Sequence, residues 1–403
     1  MIPSFRFALL FMAAAQLFSS PSFAESAISD NVIKIGVIND QAGPYADLAG
    51  AGSVEAAKLA AEEFGGSIDG AKIEIVSADH QNKPDVGASI ARRWFDTEKV
   101  DVIADISNSG VAFAIIDLAK ARNKIVLNMA ASSDFTGKAC TPISFQWVYN
   151  SHTNSVGLAN SLIKQGLDTW YLIAVDFAFG HALASDLQKA VAARGGKILG
   201  EVYHPLNASD FASPLLQAQA SKAKVVVLGN AGADLANSMK QASEFGLTQS
   251  QVMAAPAVFL TDVDAMGLQV GQGLQFLTAF YWDRNDETRA WAKKFFARYG
   301  RMPTMSQAGV YSAVRHYLKA VQAAKTDDTT SVASKMKELP VDDAFGKGRL
   351  REDGQFIHDF YLVRVKKPAE SKARWDYYSV LGTIPGADVF MSLADSPCPL
   401  IHK

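Results

Sequence analysis

The sequence predicts an α/β protein built from two Rossmann-like three-layer αβα lobes joined by a three-strand hinge. Two observations carry that prediction. From Ile33 onward, short aliphatic runs alternate with amphipathic helical stretches, the pattern of a parallel sheet covered on both faces, and the series starts afresh near Trp170. The chain of 403 residues also outgrows one core, since single cores seldom grow past roughly 250–300 residues.

Residues 1–24, MIPSFRFALLFMAAAQLFSSPSFA, combine one positive charge at Arg6, an apolar core from Phe7 to Phe18, and small residues Ser22 and Ala24 ahead of Glu25. That is the make-up of a secretory signal peptide, too short and interrupted to span a bilayer, and it predicts export out of the cytoplasm. In the first lobe Ile33–Ile38, Lys72–Ala78, Val100–Ala104 and Lys124–Asn128 read as strands. AGSVEAAKLAAEEFG, PDVGASIARRWFDTE and GVAFAIIDLAKARN are the helices between them, at a 3.6-residue period. SFQWVYNSHTNS then carries the chain out of the lobe.

In the second lobe Trp170–Val175, Lys197–Val202 and Val225–Leu228 alternate with HALASDLQKAVAARGG, FASPLLQAQASKAK and DLANSMKQASEFG, and residues 251–254 supply another strand. Gly271 to Phe280 marks a return crossing. DETRAWAKKFFARYG and SQAGVYSAVRHYLKAVQAAK complete the first lobe's helical layer, and KGRLREDGQFIHDFYLVRVKK makes a third crossing that ends in a strand, with Trp375–Leu381 as its hairpin partner. The expected divisions are 31–149 plus 281–352 for the first lobe, 150–280 plus 353–385 for the second, and a tail over 386–403. Three crossings form a hinge, so the ligand belongs in the cleft at the C-terminal ends of both sheets.

Composition and motifs exclude several functions. Lys and Arg number 39 against 41 Asp and Glu, and no basic or aromatic-interleaved tract suggests nucleic acid. No two of the seven histidines share a metal-ligand helical spacing. HExxH, a Walker A loop, GxSxG and a GxGxxG after the first strand are all missing, which predicts no cofactor, no metal and no catalysis. Asp79 and His80 suggest acid–base work, but loop capping around Asn82 and Pro84 competes for them. An exported enzyme acting on a small carbonyl or ester stays open as a different-class alternative, as does a sensing domain for a signalling partner. The only cysteines, Cys140 and Cys398, can pair in an exported compartment, the alternatives being two free thiols or a metal site without neighbouring ligands.

The loops after the strands offer hydroxyls and amides at helix starts, with rings alongside. Ser107, Asn108 and Ser109 precede a helix, where backbone and side-chain donors hold an anionic oxygen or simply cap. Ala130 and Ala131 leave backbone open to approach, and Ser132 and Ser133 add donors, so one carboxylate shared between these loops needs no Arg or Lys. Tyr45 can face an apolar ligand. Phe177 and Phe179 point the same way if the backbone between them is extended. Asn230 and Asp234 flank a turn, where Asp234 is either a cap on the following helix or the acceptor for a ligand ammonium. Trp147, Tyr149, Phe280 and Tyr281 sit near crossings.

IKIGVINDQAGPYADLAGAG, SNSG, NMAASSDFTG and VDFAFGHA resemble, in that order, the periplasmic solute-binding proteins of branched-chain amino acid type ABC transporters, over residues 31–400. The resemblance implies a type I periplasmic binding fold, capture of a small carboxylate, and delivery to an inner-membrane permease with its ATPase by a protein acting as a monomer. It also implies a carboxylate grip at Ser107–Ser109, Ala130 and Ser132, an aromatic cover at Phe177 or Phe179, and an ammonium acceptor at Asp234. DHQNKPDVG, TGKAC and the terminal CPL resemble a branch that takes varied carboxylates, aromatic acids included. Asp where amino acid binders commonly have Glu, Ser132 where they have Thr, and Phe near 177 where they have Tyr set this chain apart from them.

Overall fold

A computed structural model describes residues 28–401 together with Met1. The expected signal peptide, beyond Met1, lies outside the described residues. The first sheet contains β1 (Val32–Asn39), β2 (Ser67–Ile68), β3 (Ala71–Asp79), β4 (Val102–Asp105), β5 (Ile125–Asn128) and β6 (Ser144–Gln146). Its order is β2-β3-β1-β4-β5-β6, parallel except for the short β2–β3 hairpin. The second is parallel and ordered β10-β9-β7-β8, from β7 (Thr169–Val175), β8 (Lys197–His204), β9 (Val225–Gly229) and β10 (Val252–Ala254). Every residue of β4, β5 and β9 is buried, which is why these strands are continuous aliphatic runs and not alternations.

The first sheet is covered by α1 (Gly50–Glu62), α2 (Pro84–Asp96) and α3 (Ser109–Arg122). Next in the chain come α4 (Ser151–Ile163), α5 (Ala178–Ala192), α6 (Ala212–Ser221), α7 (Ala233–Glu244), α8 (Leu247–Ser250), α9 (Leu260–Met266) and α10 (Leu268–Gly271). The returning helices α11 (Asp286–Tyr299) and α12 (Met305–Ala324) rejoin the first lobe, α12 against α1 and α13 (Thr329–Glu338). A third sheet pairs β11 (Gln275–Thr278) with the hairpin of β15 (Phe360–Val365) and β16 (Tyr378–Ile384). A small meander, β12 (Val341–Asp342), β13 (Lys347–Leu350) and β14 (Phe356–His358), precedes it.

The helix α4 is absent from the sequence expectation, which treats SHTNS as connecting chain. The first two turns bury small polar residues, Ser151, Thr153, Asn154 and Ser155, and only the second half buries apolar ones, Leu158, Ala159 and Leu162, so the apolar signal is short and starts late. What starts it is reciprocal capping: Asn150 accepts the Thr153 amide at 2.9 Å, and the Thr153 hydroxyl accepts the Asn150 amide at 3.1 Å. Buried amides knit the first and third crossings together here. Asn150 Nδ2 donates to Gln355 Oε1 at 2.8 Å, and Gln146 bridges Gln355 across the chain. Cys140 and Cys398 are bonded, tying the tail to the loop after β5 across 258 residues of sequence. Among the described residues no helix is long and apolar enough to cross a membrane.

Candidate functional site

Both sheets have a topological switch point: β1 lies between β3 and β4, and β7 lies between β9 and β8. At such points the outgoing loops diverge and leave a crevice at the strands' C-terminal ends. The two crevices face each other and form one cleft, with about 330 Å³ of free space including its mouth. Tyr45 and Leu48 enter it from the loop after β1, Ser107 and Ser109 from beyond β4, and Ala131 from beyond β5. Opposite stand Phe177 and Phe179 after β7, Ala231 after β9, and Ala257 and Phe259 after β10, with Tyr149 at the first crossing. None of these side chains is charged.

The polar groups are neutral donors. The Ser107 hydroxyl is buried and has no hydrogen-bond partner. It is aimed by strain, because Asp105 and the β-branched Ile106 hold φ values of 78° and 56°, a conformation costing roughly 1–3 kcal/mol per residue. Asn108 caps α3, accepting from the amides of Gly110 at 2.9 Å and Val111 at 3.2 Å, and does not line the cleft. Ser109 Oγ accepts the Ser132 amide at 3.3 Å, which locks the β4 and β5 loops together. Burial, followed by the Asp234 charge, pushes the Tyr45 hydroxyl well above its usual range and keeps it protonated. The Tyr45 loop is held by Asp40, which accepts from the amides of Gly43 at 2.7 Å and Tyr45 at 2.8 Å.

Other expected residues stand behind the wall. The Ala130 amide donates to Asn128 Oδ1 at 2.9 Å, and Ser132 Oγ accepts the Asp134 amide at 3.3 Å. Asn230 Nδ2 reaches His204 Nε2 at 3.1 Å. Asp234 does not cap its helix: its carboxylate accepts the Asn207 amide at 3.0 Å, from the loop after β8, and burial raises it to about 6. The backbone between Phe177 and Phe179 is not extended, because Phe177 is the N-cap of α5 and Ala178 begins the helix. The turn still keeps the rings together, with centroids 6.2 Å apart, and Tyr45 meets Phe177 at 6.5 Å from the opposite lobe. His80 is buried and neutral, lowered to about 4 by burial, and its Nδ1 accepts the Asn82 amide at 3.0 Å. Asp79 accepts the Gln81 amide at 2.7 Å, so the pair organises a loop.

Sequence reasoning missed Leu48, Ala231, Ala257 and Phe259, small or apolar residues whose place depends on strand order. It also missed Asp262, which accepts the Phe259 amide at 2.8 Å and so positions a wall residue. Burial raises Asp262 to about 7. A carboxyl whose folded value exceeds the ordinary 3.9 stabilises the fold below that value and loses the contribution as pH rises through the folded one. Asp262→Asn, whose carbonyl keeps the acceptor, should therefore match wild type near pH 4 and gain on the order of 1 kcal/mol relative to it by pH 8. Chemical denaturation at the two pH values checks this; an unchanged difference refutes it.

The model for the family "Periplasmic binding protein" matches residues 32–372. The chain belongs to the periplasmic binding protein family. Its members bind solutes outside the inner membrane and do not transform them. A periplasmic binding protein from Burkholderia mallei is 44% identical, with 92% of this chain and 99% of that one covered and a TM-score of 0.90. A structure described as a branched chain amino acid ABC transporter periplasmic ligand-binding protein, from Burkholderia xenovorans LB400, is 42% identical over 92% of this chain and 100% of that one, with a TM-score of 0.83. The Leu/Ile/Val-binding protein homolog 6 of Brucella abortus is 26% identical over 199 residues, 49% of this chain and 50% of the relative. The chain thus spans about half the length of the curated relatives it matches.

Proposed function

We propose that this periplasmic binding protein is the receptor of an ABC importer for small aromatic carboxylates. One observation carries the reading: an uncharged cleft joins the orphan Ser107 hydroxyl to the rings of Tyr45, Tyr149, Phe177, Phe179 and Phe259. A carboxylate meets hydroxyl and amide donors at Ser107, Ser109 and Ala131, and an aromatic body meets aromatic walls. Neither Asp234 nor Asp262 lines the cleft; each accepts a backbone amide behind the wall, although Asp234 Oδ1 is left without a partner there.

Residues 1–24 direct export. The protein acts as a monomer, hinged at the three crossings between 31–149 plus 281–352 and 150–280 plus 353–385. Ligand contacts with both lobes favour the closed form, since only differential affinity shifts a population. A permease with its ATPase then reads the surface that both lobes share. A thermal-shift panel tests the ligand class. Benzoate at 100 times its Kd adds about 2.7 kcal/mol, enough to raise Tm by roughly 3 °C, while leucine, isoleucine and valine leave it unchanged.

The names of two relatives favour a second reading, branched-chain amino acids. Under it the panel reverses, and Asp234→Asn sharply weakens leucine capture.

A further inference from the structure

The loop that presents Ala131 to the cleft is held from both lobes. In the first, the Ser132 amide donates to Ser109 Oγ, and Gln146 Nε2 donates to the carbonyls of Ala130 at 2.8 Å and Ser132 at 3.0 Å. At the first crossing, the Ser151 amide donates to the Ala131 carbonyl at 2.7 Å, and Ser151 Oγ accepts the Ser133 amide at 3.0 Å. The remaining hold comes from the second lobe. Asp186, on α5 and only 5% exposed, accepts the Ser133 hydroxyl at 2.7 Å and the Ser151 hydroxyl at 2.6 Å, both on Oδ2.

The position of Asp186 on its helix gives this contact a consequence. Phe177 caps α5, Phe179 lies in its first turn, and Asp186 follows two turns later on the same face. One rigid helix therefore carries the rings that cover the cleft and the carboxylate that grips the loop on the far side. The same helix touches α3, whose first residue is Ser109. A carboxylate accepting two hydroxyls in a buried setting makes strong, directional bonds, and losing one partner leaves the other unsatisfied.

We propose that Asp186 is a positioning residue that clasps the anion-holding loop Ala131–Ser133 of one lobe to the lid helix of the other, so that the aromatic lid seats only when that loop is in register. Solute capture then depends on a residue that touches no solute. The clasp rests on the two-lobed reading of the cleft, but not on benzoate being the guest.

The test combines interlobe distances, from spin labels at the exposed Asp69 and Lys197, with calorimetric titration of benzoate. Ser133→Ala, which keeps the Ser151–Asp186 bond, and Asp186→Ala should both broaden the distance distribution of the unliganded protein and weaken benzoate binding by roughly 10-fold. The double variant should be little worse than Asp186→Ala alone, because that variant has already lost the Ser133–Asp186 bond. Asp186→Asn, which retains an acceptor oxygen, should recover most of the loss. Distances and affinity that stay at wild-type values while only Tm falls would reduce Asp186 to a structural residue and overturn the proposal, as would additive losses. If wild type ignores benzoate yet the distances shift in the variants, the ligand reading fails and the clasp stands.

Discussion

Gly232→Ala is expected to hold the cleft open and to weaken benzoate capture by roughly 10- to 100-fold. Gly232 has φ 62° and precedes α7 at the point where the lobes touch; the Ala233 amide donates to the Pro44 carbonyl of the opposite lobe at 3.3 Å. A β-carbon on Gly232 would lie 2.3 Å from that carbonyl oxygen, well inside contact distance. Backbone meets backbone there, so no side chain can swing aside. Opening the lobes relieves the clash, and the variant trades affinity for an open form while each lobe keeps its core. Small-angle scattering with saturating benzoate should show contraction in wild type and none in the variant. Gly246→Ala is the control, since Gly246 has φ 75° but nothing within 4 Å of its β-carbon position. It shares the positive φ without the cross-cleft clash, with ψ 12° where Gly232 has −135°, and should bind as wild type does. Equal losses in both variants would mean that strain, not closure, is responsible.

Cys398→Ser should cost about 2–4 kcal/mol of stability and leave ligand affinity within a few-fold of wild type. The bond to Cys140 closes a loop spanning 258 residues of sequence, and its constraint falls chiefly on the unfolded chain. The tail it anchors also covers buried groups: the Arg351 guanidinium donates to the Met391 carbonyl at 2.7 Å, and Phe390 packs edge-on against His358 and tilted against Phe360. Releasing it removes a lid from the hinge and not from the cleft. Denaturation of wild type with and without reductant, beside the variant, checks the assignment. A variant as stable as the oxidised protein would contradict it.

The sheets were legible because buried parallel strands leave little choice of residue: VVVLG of β9 and IVLN of β5 are unambiguous runs. The loops after them were legible in chemistry but not in orientation. Ser107, Ser109, Ala131, Tyr45 and the two phenylalanines were legible as cleft residues because glycine, hydroxyl and aromatic positions follow strand ends. Of the two roles open to Asp234, the cap is not made, and its actual partner was not legible because the amide it accepts lies in another loop, at Asn207. Helix α4 was hidden for a different reason: its first two turns bury small polar residues, and the apolar Leu158, Ala159 and Leu162 come only in its second half. Asp186 shows the same limit: in sequence it is one polar residue on an amphipathic helix, and only the approach of Ser133 gives it a role.

A crystal structure of the protein with benzoate tests the ligand reading most directly. The expected result is a carboxylate within hydrogen-bond distance of Ser107 Oγ, Ser109 and Ala131, with the ring between Tyr45 and Phe179. An empty cleft at saturating benzoate, or an amino acid retained there with its ammonium on a freed Asp234, would contradict it.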